Sequence, residues 1–124
     1  MAEILFKEES FEIIGACMKT HSALGCGYKE AIYQDALEVE LKRRSIFFER
    51  EKKYKVIYEG VTLKHHFIAD FVIHKNIIIE LKSTKEIINP FIAQTINYLK
   101  ASGLKLGIII NFGLPSLEYK RIVF

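Results

Sequence analysis

Apolar residues recur along this chain at two periods, and the change between them divides it. Through "EESFEIIGACMKTHSALG", Phe11, Ile14 and Met18 fall at helical spacing with Ile13 and Cys17 beside them. That pattern predicts a first helix of about four turns, ending near Gly25 or Gly27. In "YKEAIYQDALEVELKRR", Tyr33, Leu37 and Leu41 step by four, and the basic last turn suits a helix C-terminus. The period then drops to two. "KKYKVIYEG" sets Tyr54, Val56 and Tyr58 on one face of a half-buried strand that Gly60 ends. "HFIADFVI" and "NIIIELKS" follow as two strands expected to be buried on both faces and joined through His74, Lys75 and Asn76. "NPFIAQTINYLKASG" reads as a helix with Asn89 as N-cap, Pro90 at the first helical position and Gly103 just past the end. "LKLGIIINF" is a further buried strand, and "LEYKRIVF" closes the chain as an edge strand. The order ααβββαββ predicts a mixed sheet with helices on its faces, an α/β (α+β) architecture.

Two acids and a lysine interrupt the most apolar of these strands. Asp70 is flanked by apolar residues on both sides, Glu80 follows three isoleucines, and Lys82 comes two residues later. A buried lone carboxylate costs several kcal/mol unless something compensates it. Strand alternation sends Glu80 and Lys82 to one face, roughly 6–7 Å apart along the strand, and Leu81 to the other. Whether Asp70 joins them depends on the turn. A two-residue turn at Lys75 and Asn76 would pair Asp70 with Leu81. A three-residue loop, or an equivalent bulge, pairs Ile73 with Ile77 and sets Asp70 opposite Glu80, with Asn76 suited to the left-handed conformation such a loop requires. That loop is the expectation.

Paired carboxylates repel, and a hard divalent cation with oxygen ligands resolves the conflict. Lys82 beside it would hold water and stabilise charge on a phosphate. A buried acid–lysine ion pair without chemistry is the plainer alternative. Three more polar residues bear on the choice. Glu30 shares a helical stripe with Tyr33 and Leu37, and Gln94 and Tyr98 lie four apart on a face with Phe91. Each taken alone is ordinary helix-surface decoration.

Composition narrows the classes without deciding among them. At 124 residues, with 50% hydrophobic and 27% charged, the chain suits one domain over 1–124. No apolar run approaches the ~20 residues of a membrane span. The acidic start "MAEILFKEESFEIIG" does not resemble a signal peptide. Cys17 and Cys26 lack metal or redox spacing and read as reduced thiols of a cytoplasmic protein. The net charge of +3 permits nucleic-acid binding without demanding it. Its one concentration is Leu41–Lys55, with seven basic residues against two glutamates. That segment alone reads as a solvated helix end and loop.

Taken together, these residues resemble a known family. "GYKEAIY" (Gly27–Tyr33) matches the G-x-x-E-x-x-Y signature of the GxxExxY proteins, and "HSALG" with His21 and "ADF…IELKS" resemble the same pattern over nearly the whole chain. That family is placed in the PD-(D/E)XK nuclease superfamily. The resemblance implies a restriction-endonuclease-like sheet flanked by helices. It also implies Asp70 as first metal carboxylate, Glu80 and Lys82 as the E-x-K element, Glu30 as a helical acid assisting metal or water, and Gln94 with Tyr98 as a Q-x-x-x-Y helix. Ala69 replaces the proline of the superfamily name. The activity so implied is hydrolysis of nucleic-acid phosphodiesters, with DNA the expected partner ahead of RNA and the choice between them not read from the sequence. Asp70, Glu80 and the Leu81 carbonyl would hold Mg²⁺ or Mn²⁺, with Glu30 as a further candidate ligand and Tyr33 and Tyr98 in support. On this reading Lys42, Arg43, Arg44, Arg50, Lys52 and Lys53 contact the phosphate backbone. No base-reading element is evident, which favours structure-directed or nonspecific binding, and a homodimer or a protein partner would supply further specificity.

Two rivals stand beside this reading. One is a catalytically silent module that keeps the nuclease fold and binds nucleic acid or a partner. The other is a metal site at His65, His66 and His74, which strand alternation disfavours because adjacent histidines point to opposite faces.

Overall fold

The structure, a computed structural model, describes residues 4–124; positions 1–3, part of the acidic start read above, lie outside them. Eight elements follow in the expected order: α1 (Lys7–Leu24), α2 (Glu30–Arg43), β1 (Phe48–Tyr58), β2 (Val61–Ile73), β3 (Ile77–Lys82), α3 (Asn89–Ser102), β4 (Leu106–Asn111) and β5 (Glu118–Val123). The strands form one sheet in the order β1-β2-β3-β4-β5. Only β3 and β4 run parallel, because α3 carries the chain back across the sheet between them.

Helices cover both faces. Tyr33, Leu37 and Leu41 of α2 are fully buried with Ile13, Ala16 and Cys17 of α1 against Phe71, Ile77, Ile79, Leu81 and Ile110. The expected α1 stripe is corrected here. Phe11 and Met18 are 82% and 47% exposed, and the sheet instead takes the adjacent stripe of Ile13, Cys17, Thr20 and His21, where small Ala16 allows close approach. On the opposite face α3 packs over Val72, Ile78 and Ile109. A Cβ on Gly107 would lie 2.6 Å from Thr95 Cγ2, so this glycine lets α3 settle onto β4. Ile88, not Asn89, takes the cap position of α3 in extended conformation, and Asn89 is already helical. Gly103 closes the helix left-handed at φ 77°, its N–H donating to Leu99 O.

The β1–β2 ribbon is longer than its apolar pattern predicts and runs past the helices. The first half of β2 is therefore exposed, and burial of both faces begins only at Ala69. The two strands meet through a tight turn at Glu59 and Gly60, both with positive φ as a primed turn needs. Part-way along, the ribbon exchanges faces. Phe48 and Phe71 pack on the α1/α2 side, whereas Tyr54 and Ala69 pack on the α3 side. The exchange falls at Glu51, with φ 53°, and at Asp70, the one pair missing between Arg50–Phe71 and Lys52–Ala69.

Candidate active site

The β2–β3 turn decides where Asp70 and Glu80 stand. Ile73 pairs with Ile77, Val72 with Ile78 and Phe71 with Ile79, and there the ladder ends. The next level in register is Asp70 opposite Glu80, as a three-residue loop requires. His74 and Lys75, at φ 56° and 63°, take the left-handed conformation, not Asn76. Asn76 instead donates its N–H to Ile73 O at 3.1 Å, which puts the two residues between them on the left-handed side and leaves Asn76 as the extra residue.

Where the ladder stops, side chains replace it. The Asp70 N–H donates to Glu80 Oε2, and the Leu81 N–H donates to Asp70 Oδ2, both at 2.8 Å. Each acid is thus held by the other's strand. Lys82 O accepts from Phe112 N beyond β4, so strand alternation turns the Leu81 carbonyl to the β2 edge beside Asp70. Lys82 projects to the α3 side, its Nζ 4.5 Å from the Phe91 ring centre and 3.4 Å from Gln94 Oε1. Among the described residues it makes no ion pair with either acid. Glu30 opens α2 close enough to act on both carboxyls.

The acids are strained electrostatically. Burial, then Asp70, pushes the Glu80 carboxyl up to about 8, against the pull of the Asp70 N–H and Lys82. Burial likewise raises Asp70, opposed by the Leu81 N–H, Lys82 and Gln34 and assisted by Glu30. The Tyr98 phenol is raised by its own burial, then by Glu80 and Asp70, which places its hydroxyl in their field. Among the described residues no three His, Cys, Asp or Glu side chains gather as a metal site. A cation here would rest on two carboxylates, with the Leu81 carbonyl and waters completing its shell, a donor set that suits Mg²⁺ or Mn²⁺.

Comparisons with known proteins bear on the family and the fold. A family profile described as the PD-(D/E)XK nuclease superfamily matches residues 7–122. The chain belongs to that superfamily. Its members are typically nucleases that use divalent metals, and their fold is the restriction-endonuclease-like sheet seen here. The crystal structure of SSO0001 shares the fold, with TM-score 0.62 and 23% identity; it aligns with 95% of this chain, which spans 59% of that one. No curated protein matches.

Within the superfamily fold, the remaining expected residues are less closely gathered. Tyr33 is buried beneath the loop before α2, where its hydroxyl donates to Gly25 O at 2.6 Å and accepts from Tyr28 N at 3.2 Å, its ring stacked on Phe112. It shapes the approach to Glu30. The basic residues form no single cluster. Arg44 pairs with Glu40, Arg50 with Asp35 and Glu38, and Lys52 with Glu49. Lys42 and Arg43 lie at the far end of α2, roughly 18–20 Å of helix from Glu30. Lys53 is exposed on β1. His65 and His66 are exposed on β2, and His74 lies in the turn at its other end, so the three share no site. Gln34 was not expected. One turn after Glu30, its amide helps to hold the Asp70 carboxyl down, and its Oε1 accepts from Arg50 Nη2 at 3.3 Å. Its only signal in the sequence was that i+4 spacing.

Proposed function

We propose that this chain, acting as one domain of the GxxExxY type, is a Mg²⁺- or Mn²⁺-dependent nuclease that hydrolyses nucleic-acid phosphodiester bonds, with DNA the expected substrate ahead of RNA. The observation that carries the proposal is the exchange of carboxylates at the end of the β2–β3 ladder. It fixes two acids at one level and leaves Lys82 beside them without an acid of its own. Asp70, Glu80 and the Leu81 carbonyl would hold the cation, with Glu30 near enough to share it or the water. The bound cation would lower the pKa of water and offset charge on the phosphate. Lys82, steered by Gln94 and the Phe91 ring, would orient the attacking water and stabilise the phosphate oxygens. Tyr98 would keep α3 against the acids.

A cleft of about 700 Å³ opens beside Glu30, between residues 27–31 and 83–85, with Lys29 and Lys85 on its walls. Of the acids only Glu30 lines it, so a sugar-phosphate backbone seated there would meet the helical acid directly. Lys42, Arg43 and Lys53, which make no ion pair among the described residues, remain available to more distant phosphates, whereas Arg44, Arg50 and Lys52 are held by acids. The reading places the protein in the cytoplasm, where free Cys17 and Cys26 persist, and leaves room for a second copy or a partner protein.

The test is cleavage of labelled DNA and RNA by purified protein with Mn²⁺ and with EDTA, alongside Lys82→Ala and Asp70→Asn. The expected result is metal-dependent cleavage reduced at least 100-fold in both variants. Metal-independent binding with no cleavage of any substrate would favour the silent module.

A further inference from the structure

A second feature lies along α3 from the acids. Residues 55–57 of β1, Phe67 of β2 and residues 97–98 and 100–101 of α3 enclose a groove of about 640 Å³. Its floor is apolar, formed by Val56, Phe67, Ala101 and Tyr98. Lys55 and Lys100 stand on opposite walls, Asn97 offers an amide, and no acid lines it. The groove exists because the ribbon is irregular there. Lys55 pairs with His66 but Ile57 with Thr62, so three β2 residues face the single Val56. Such a bulge bends a ribbon and re-aims its side chains, which brings residues 55–57 together at the groove.

The groove and the acids are joined by one face of α3. Tyr98 stacks on Phe67 with ring centres 4.1 Å apart and planes within 5°, and Phe67 in turn stacks on Tyr54 at 5.1 Å. One turn before Tyr98 on α3, Gln94 Oε1 lies 3.4 Å from the Nζ of Lys82, two residues after Glu80. An occupant of the groove would therefore neighbour a phosphate held at the acids. Two cationic walls and an apolar floor with one amide match a nucleotide whose base has left its stack, since a paired base could not enter.

We propose that this groove binds an unpaired nucleotide of the strand whose phosphate lies at the acids, so that the protein prefers junctions between duplex and single strand. The inference rests on the nucleic-acid part of the proposed function. Lys55 and Lys100 hold the flanking phosphates, the floor takes the base and Asn97 meets its edge.

The test compares fluorescein-labelled DNA duplexes, blunt or carrying a single-stranded extension of either polarity, by anisotropy in EDTA and by cleavage in Mn²⁺. Wild type should bind an extended duplex about tenfold more tightly than a blunt one. Lys55→Gln with Lys100→Gln should erase that preference, leave blunt-duplex affinity within about twofold and lower the salt slope for the extended duplex by about 1.4. Ala101→Trp, which fills the groove without changing charge, should erase the preference too. Equal affinity of wild type for both duplexes, or a preference that survives both variants, would overturn the groove. A lysine-dependent preference without cleavage would sustain the groove and sink the nuclease reading, and cleavage without preference would do the reverse.

Discussion

Glu80 shows how much one residue's surroundings can dictate. In a strand of isoleucines it is 4% exposed, and burial together with Asp70 lifts its carboxyl from an ordinary value near 4.5 to about 8. A raised acid binds its proton more tightly in the folded state, so it contributes stability below about pH 4.5 that is lost as pH rises through 8. The metal-free protein should accordingly melt at a lower temperature at pH 8 than at pH 5.5. Glu80→Gln, neutral throughout, should flatten that slope, as calorimetry in EDTA would show. Asn111 is a quieter case. Fully buried at the end of β4, it accepts from Thr84 N and Gly113 N and donates to Thr84 O and Glu118 Oε1. Asn111→Ala should cost about 2–4 kcal/mol in urea titration, because the Thr84 and Gly113 amides lose their acceptor. At this scale the acids and Lys82 were legible, since charges within apolar strands are conspicuous. Gln34 was not, because its i+4 spacing from Glu30 means nothing until the sheet beneath that helix face is known.

Elements were legible where the period was clean. The α2 stripe of Tyr33, Leu37 and Leu41 is wholly buried, as its spacing predicts. In α1 the apolar residues surround more of the helix, and tertiary packing chose the stripe with Ala16 over that with Phe11. The length of the β1–β2 ribbon was hidden because its outer half is polar and solvent-facing, a pattern that loops share. Its exchange of faces was hidden too, since that depends on Glu51 holding φ 53°. A left-handed non-glycine residue carries roughly 1–2 kcal/mol of strain. Glu51→Gly should therefore raise stability by about 1 kcal/mol in chemical denaturation, without moving Asp70. A fall in stability would mean the Glu51 side chain contributes more than its backbone costs.

For the molecule as a whole, the order of elements and the superfamily could be read from the chain, but the distribution of its basic residues could not. Half of the six expected backbone contacts are instead held by acids on α2 or β1. Binding of a cation should be visible as a global effect. Mn²⁺ at about 100 times its Kd should stabilise the fold by about 2–3 kcal/mol. The gain should be larger at pH 8 than at pH 6, because protons compete for Glu80. A melting temperature unmoved by Mn²⁺ at either pH would count against a cation at these acids. The carboxylates that close the β2–β3 ladder also act as a splint: they carry the backbone bonds that would otherwise join the strands at that level. An alanine at position 70 or 80 would unfasten this seam as well as disarm it, so silence from such a variant would confound architecture with chemistry. Amide replacements keep an oxygen for the opposing N–H, and they alone separate a protein that cannot cut from one that has come unstitched.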